Sequence, residues 1–205
     1  MSNVIQGSPE WFDMKRGIFS ASRIVDICPG VKGSFLAGRK NYIAKVVLEL
    51  ITGVTAETYQ SPAMEQGVER EAAARLAYEV KTSEWVDEVP FILHPAISRL
   101  GCSPDGLIGE VAGIEIKCPE PAQHLDTIIN GTIKRDYIYQ MQCSLFVTGR
   151  EYWDFVSYNP DFPEHLQLYI HRVYPDQKIF DEIEKSVLSA NIEVDELISK
   201  LEALK

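Results

Sequence analysis

Apolar residues fall at helical spacing towards both ends of the chain and in short strand-like runs through its middle. From 39 to 52, Tyr42, Ile43, Val46, Val47, Leu50 and Ile51 share one face, and Gly53 stands where a C-terminal cap belongs, so a helix is predicted there. Ser20, Ala21 and Ser22 precede Ile24, Val25 and Ile27, which predicts a short capped helix, and a longer one is expected over 62–80. Between Trp85 and Lys117 the texture changes to β-branched and aromatic runs broken by Pro90, Pro95, Pro104-Asp105-Gly106 and Ala112-Gly113. These read as strands of a small sheet, with a tight return through Val111-Ala112-Gly113. Residues 123–130 and 137–147 then read as helices, 152–158 and 166–173 as strands, and 176–204 as a long terminal helix. Ile179, Ile183, Val187, Ile192, Leu197 and Leu201 read as one stripe of that helix, suited to core packing or a partner. Helices before, between and after the strands make the fold class α/β.

The 205 residues are 45% hydrophobic, enough for one core, and no repeat, low-complexity tract or Gly/Ser linker marks a boundary. A single domain spanning 1–205 is therefore expected. No apolar run approaches the roughly 20 residues of a membrane span, and no basic leader or signal-like stretch is visible, which points to a soluble cytoplasmic protein with no membrane partner. Four cysteines without a Cys-x-x-Cys pair argue for reduced thiols rather than a zinc site. The net charge of -10 argues against a protein that coats nucleic acid. Lys15, Arg16, Arg23, Lys32, Arg39, Lys40 and Lys45 nevertheless make the N-terminal fifth locally basic, so a basic lining on an acidic molecule is compatible with DNA.

Asp105 is followed ten residues later by Glu115-Ile116-Lys117. Side chains alternate along a strand, so Glu115 and Lys117 point to one face and Ile114 and Ile116 to the other. With Asp105 at the end of a partner strand, two carboxylates and an ammonium converge where a hard divalent cation would find oxygen ligands. Each fragment alone has a plain reading: Ser-Pro-Asp-Gly is a common turn, and Glu-Ile-Lys suits any half-buried strand. Their conjunction in one hairpin points to chemistry.

Residues Gly101 to Leu107, Glu115 to Pro119 and Gln140-Met141-Gln142 resemble the lambda-exonuclease (YqaJ-type viral recombinase) family of the PD-(D/E)XK nuclease superfamily. Gly67 to Arg75 resembles the helix that gives that family a further acid, and Lys15 to Ser22 its basic, hydroxyl-bearing N-terminal segment. The resemblance implies a restriction-endonuclease-like core, a small mixed central sheet flanked by helices. It makes Asp105 and Glu115 metal ligands with the Ile116 carbonyl, Glu71 a further acid acting directly or through water (with Glu65 and Glu69 nearby), and Gln140 a supporting residue. Lys117 would orient or deprotonate the attacking water. Tyr137 lies one turn before Gln140. Lys15 or Arg16 with Ser22 and Ser103 would hold a 5′ phosphate, and Met64 would wedge the terminal base pairs, although a core role suits Met64 equally. A second Arg often found soon after the Cys-Pro is absent, because Glu120-Pro121-Ala122-Gln123-His124 follows Pro119.

The expected function is a Mg²⁺-dependent 5′ to 3′ exonuclease, with two ions and Mn²⁺ as a substitute, that degrades one strand of linear duplex DNA to mononucleotides. By resemblance it would work as a homotrimer in a bacterial host cytoplasm, phage or prophage encoded, and hand 3′ overhangs to a single-strand annealing protein for recombination. An endonuclease or repair nuclease of the same fold, or a silent DNA-binding subunit, are the alternatives.

Overall fold

The computed structural model describes residues 4–30, 33–35, 38–55 and 62–204, and side chains from residue 70 onwards in the helix that starts at Pro62. The element order is α1 (Pro9–Lys15), β1 (Phe19–Ser20), α2 (Gly38–Thr52), α3 (Pro62–Thr82), β2 (Ile92–Leu93), β3 (Leu100–Cys102), β4 (Gly106–Ile108), β5 (Ala112–Lys117), α4 (Pro121–Asn130), α5 (Arg135–Thr148), β6 (Tyr152–Tyr158), β7 (Leu168–Val173) and α6 (Gln177–Glu202). The α/β expectation holds, but the strands form two small sheets. One has the order β1-β3-β2 and the other β4-β5-β6-β7. In the second, β5 runs parallel to β6 and antiparallel to β4, while β6 and β7 are antiparallel.

The parallel β5–β6 pair is reached through the crossover helices α4 and α5. One face of β5 and β6 presents Ile114, Ile116, Val156 and Tyr158, which pack with Ala74 and Tyr78 of α3. The other presents Trp153 and Phe155, which pack with Met141 and Leu145 of α5. Gly113 shares this second face, and a Cβ there would run into the indole of Trp153. A third cluster joins Phe19, Ile24, Tyr42, Val46, Ile183 and Val187 with Leu100.

Four local expectations are corrected. Ser20 starts a 3-10 segment (Ala21–Asp26), not an α-helix, and makes no side-chain cap. Its N–H is instead bonded to the Tyr42 hydroxyl at 2.8 Å. The return between β4 and β5 is Gly109-Glu110-Val111, two residues earlier than expected, with Ala112 and Gly113 already in the strand. Gly109 has φ +48, and Arg150 Nη1 pins the turn through the carbonyls of Gly109 (2.8 Å) and Ala112 (2.7 Å). The expected stripe of α6 divides, because 3.6 residues per turn carry the buried line from Ile183 and Val187 to Ala190 and Val194. Ile192 is 60% exposed, and Leu197 and Leu201 border a groove shared with Val47, Leu48 and Ile51 of α2. Leu166, read as the first residue of a strand, instead closes a 3-10 turn (Glu164–Leu166), and β7 begins at Leu168. The sequence reading also passed over α1, where the Ser8 side chain accepts from the Trp11 N–H and Pro9 opens the helix.

Candidate active site

Alternation along β5 sets Glu115 and Lys117 on the face covered by α5, and Lys117 Nζ lies 2.5 Å from Glu115 Oε1. Antiparallel pairing places Gly106 opposite Ile114, which brings Asp105 level with Glu115. The Asp105 carboxylate reaches across the hairpin, and its Oδ2 accepts the Ile116 N–H at 2.6 Å. The expected convergence of Asp105, Glu115 and Lys117 is therefore realised, with the Ile116 backbone drawn into the same corner.

Glu115 is fully buried, and its Oε2 has no hydrogen-bond partner. Burial pushes its carboxyl above the usual range against the attraction of Lys117, and it pushes Asp105 up in the same way. Burial opposes the charge on Lys117, yet Glu115 and Asp105 together hold its ammonium above the ordinary value. Glu71 lies one turn before Ala74 of α3; burial and the Asp105 charge push it up to about 7, while Lys117 and Arg75 pull the other way. Arg75 is a residue the sequence reading missed. It stands four residues after Glu71, is ion-paired to Glu88, and its charge acts on both Glu71 and Asp105. The spacing of Glu71 and Arg75 on one helical face was the available signal.

Among the described residues no set of three or more His, Cys, Asp or Glu side chains is gathered as a metal-holding group. One Asp105 oxygen is turned to the backbone and one Glu115 oxygen to Lys117. The donors still fit a hard cation. A buried carboxylate oxygen without a partner is costly, and an acid pair whose anionic forms are disfavoured by burial gains from a cation beside it.

The expected phosphate-holding residues are placed less uniformly. Ser103 follows β3, and its Oγ is buried without a partner. Ser22 is exposed, with Oγ 3.2 Å from Ser20 Oγ. Lys15 Nζ lies 3.8 Å over the Trp11 ring, and Arg16 is ion-paired to Asp13. Much of the early basic cluster is likewise used internally: Arg23 pairs with Asp26, Arg39 with Glu193 and Lys45 with Glu49. Tyr137 stands over the site with Lys117 Nζ 5.1 Å from its ring, and it stacks on Phe155 at 6.1 Å. Gln140 is half-buried and makes no side-chain hydrogen bond among the described residues. The glutamine that satisfies backbone groups is Gln142, which bonds Tyr174 O at 2.7 Å and accepts from Asp176 N at 2.8 Å. The side chains of Met64, Glu65 and Glu69, and all of Lys32, lie outside the described residues.

The model of the YqaJ-like viral recombinase domain matches residues 10–151, which contain the whole β4–β5 hairpin with Glu71, Tyr137 and Gln140. The chain belongs to the YqaJ-like viral recombinase family. Among solved structures, the alkaline exonuclease LHK-Exo from Laribacter hongkongensis is 38% identical, covers 96% of this chain and 97% of its own, and superposes with a TM-score of 0.87. LHK-Exo is also known in complex with dAMP. A phage-related exonuclease from Haemophilus somnus 129PT, 15% identical with a TM-score of 0.73 over 90% of this chain and 96% of its own, shares the fold. No curated protein matches. The family and these neighbours agree with a PD-(D/E)XK-like core, and no helix among the described residues is long and apolar enough to cross a membrane.

Proposed function

We propose that this YqaJ-family chain is a Mg²⁺-dependent DNA exonuclease that digests one strand of linear duplex DNA from its 5′ end, releasing mononucleotides and leaving 3′ overhangs for recombination by strand annealing. The observation that carries this reading is the buried Glu115, with an unpartnered oxygen, beside Asp105 and Lys117 on one hairpin. Its support is the 38% identity to an alkaline exonuclease across nearly the whole chain.

Asp105, Glu115 and the Ile116 carbonyl would hold Mg²⁺, or Mn²⁺ in its place, with Glu71 adding a ligand directly or through water; oxygen donors suit these ions better than zinc. Bound there, the cation supplies Lewis acidity to the scissile phosphate and makes water a nucleophile near neutral pH. Lys117, held as an ammonium by its two carboxylate neighbours, orients that water and stabilises charge on the phosphate, a role that needs no proton removal. Tyr137 lies over Lys117, and Gln140, with no competing bond among the described residues, is available to the site. The unpartnered Ser103 hydroxyl, with Ser22 and Lys15 or Arg16, would receive the 5′ phosphate. The assembled enzyme would be a homotrimer on duplex ends, delivering its product to a single-strand annealing protein.

The test is digestion of a linear duplex labelled separately at its 5′ and 3′ ends, 5′-phosphorylated or 5′-hydroxyl, with a closed circle alongside. Release of 5′ mononucleotides from the linear substrate alone is expected, only with divalent metal. Asp105→Ala and Lys117→Ala should each lower the rate by at least about a thousandfold while keeping the far-UV spectrum. Cleavage of the circle, or metal-dependent cleavage by purified Lys117→Ala at the wild-type rate, would overturn the assignment.

A further inference from the structure

Resting on the exonuclease reading above, we propose that Lys134 is a substrate-positioning residue that holds a phosphate of the degraded strand beside the scissile one. Lys134 immediately precedes α5, and its Nζ lies 5.6 Å from the Tyr137 ring centroid. Lys117 Nζ lies 5.1 Å from that same ring. The ring is fixed by stacking on Phe155, with 24° between the planes, so one rigid aromatic platform carries an ammonium from the catalytic hairpin and a second from the start of α5.

The surroundings of Lys134 separate it from Arg75, Lys117 and Arg135. Arg75 is paired to Glu88, and Lys117 to Glu115. Arg135, its neighbour, is turned towards Glu182 and the Pro29 carbonyl. Lys134 is exposed and, among the described residues, has no carboxylate within ion-pair distance. In a chain with net charge -10, an uncompensated ammonium on the ring that also meets Lys117 supplies the charge that a polyanion needs on approach. A lysine is a point charge on a flexible stem, suited to a phosphate that is gripped and released as the strand advances. The contact with Tyr137 is exposed and weak enough to yield to a phosphate oxygen. The side chain makes no helix-capping bond, so its removal leaves the start of α5 as it is.

The experiment compares wild type, Lys134→Ala, Lys134→Arg and, as a control for loss of a surface charge, Lys185→Ala on the exposed side of α6. Two readouts are taken: steady-state digestion of a 5′-phosphorylated duplex with Mg²⁺, and equilibrium binding of the same duplex, fluorescently labelled, in chelator across a salt series. Lys134→Ala should raise KM and the dissociation constant by about threefold to tenfold and flatten the log–log salt slope by about one. Its kcat should change far less, Lys134→Arg should recover most of the loss, and Lys185→Ala should track wild type. Wild-type KM, affinity and salt slope in Lys134→Ala would overturn the inference, and so would an equal loss in the Lys185→Ala control. If wild type fails to cut, the exonuclease reading falls, and the metal-free binding series still decides Lys134. Absence of duplex binding by wild type overturns both.

Discussion

At the residue scale, the site rests on carboxylates whose burial works against their charge. Glu71, moved from 4.5 to about 7, stays protonated in the fold at a pH where the unfolded chain has ionised it. Its contribution to stability is therefore complete below about pH 4.5 and is lost as the pH rises through 7. Glu115 shifts in the same direction. In chelator, the melting temperature should fall by a few degrees between pH 5 and pH 8, and Glu71→Gln should fall less; an identical fall in this variant would remove Glu71 as a cause. Ligands must lose their protons to hold a cation, so Mg²⁺ should recover more stability at pH 8 than at pH 6, and cleavage should climb over the same interval. Scanning calorimetry with and without Mg²⁺ checks the first of these, and a pH–rate profile the second. Asp105, Glu115 and Lys117 were legible in the sequence because a strand's period of two fixes which residues share a face. Gln140 and Gln142 were harder to separate, since the environment that satisfies Gln142 is built from Tyr174 and Asp176, more than thirty positions away.

At the element scale, the helix and strand boundaries followed local pattern closely where caps or glycines marked them, as at Gly53 (φ +67) after α2. The terminal helix shows where pattern ran out. Apolar residues lie on more than one of its faces, and only the elements beneath it select Ile183, Val187, Ala190 and Val194 for burial. Ile183→Ala should cost about 2–5 kcal/mol, whereas Ile192→Ala should cost under about 0.5 kcal/mol. Urea unfolding distinguishes the two, and equal losses would contradict the buried line. Gly113 makes a similar point about β5. Its Cβ-free surface lets Trp153 cross the strand, so Gly113→Ala should destabilise by about 1–3 kcal/mol through overpacking. A stability unchanged in denaturant would show that the indole can move aside without cost.

At the scale of the whole molecule, α3 and α5 close on opposite faces of β5 and β6, and the acids gather where the β4–β5 hairpin meets both helices. The proposed homotrimer is checked by light scattering on the purified chain; a monomer at micromolar concentration would remove the trimer from the proposal. The sequence by itself determined the α/β class, most elements and the hairpin of the candidate site, because helical and strand periods, turn residues and a ten-residue spacing are all local. It pointed to a basic N-terminal fifth, but local pairing at three- and four-residue spacing commits Arg16, Arg23 and Lys45 to Asp13, Asp26 and Glu49, and tertiary structure commits Arg39 to Glu193. Tertiary structure alone decided the split into two sheets, the bond from Asp105 to the Ile116 N–H, the approach of Glu71 and Arg75 to Asp105, and the shared ring of Lys117 and Lys134. Each of these depends on groups brought together by packing rather than by chain distance, and charge and burial act through space, not along the sequence.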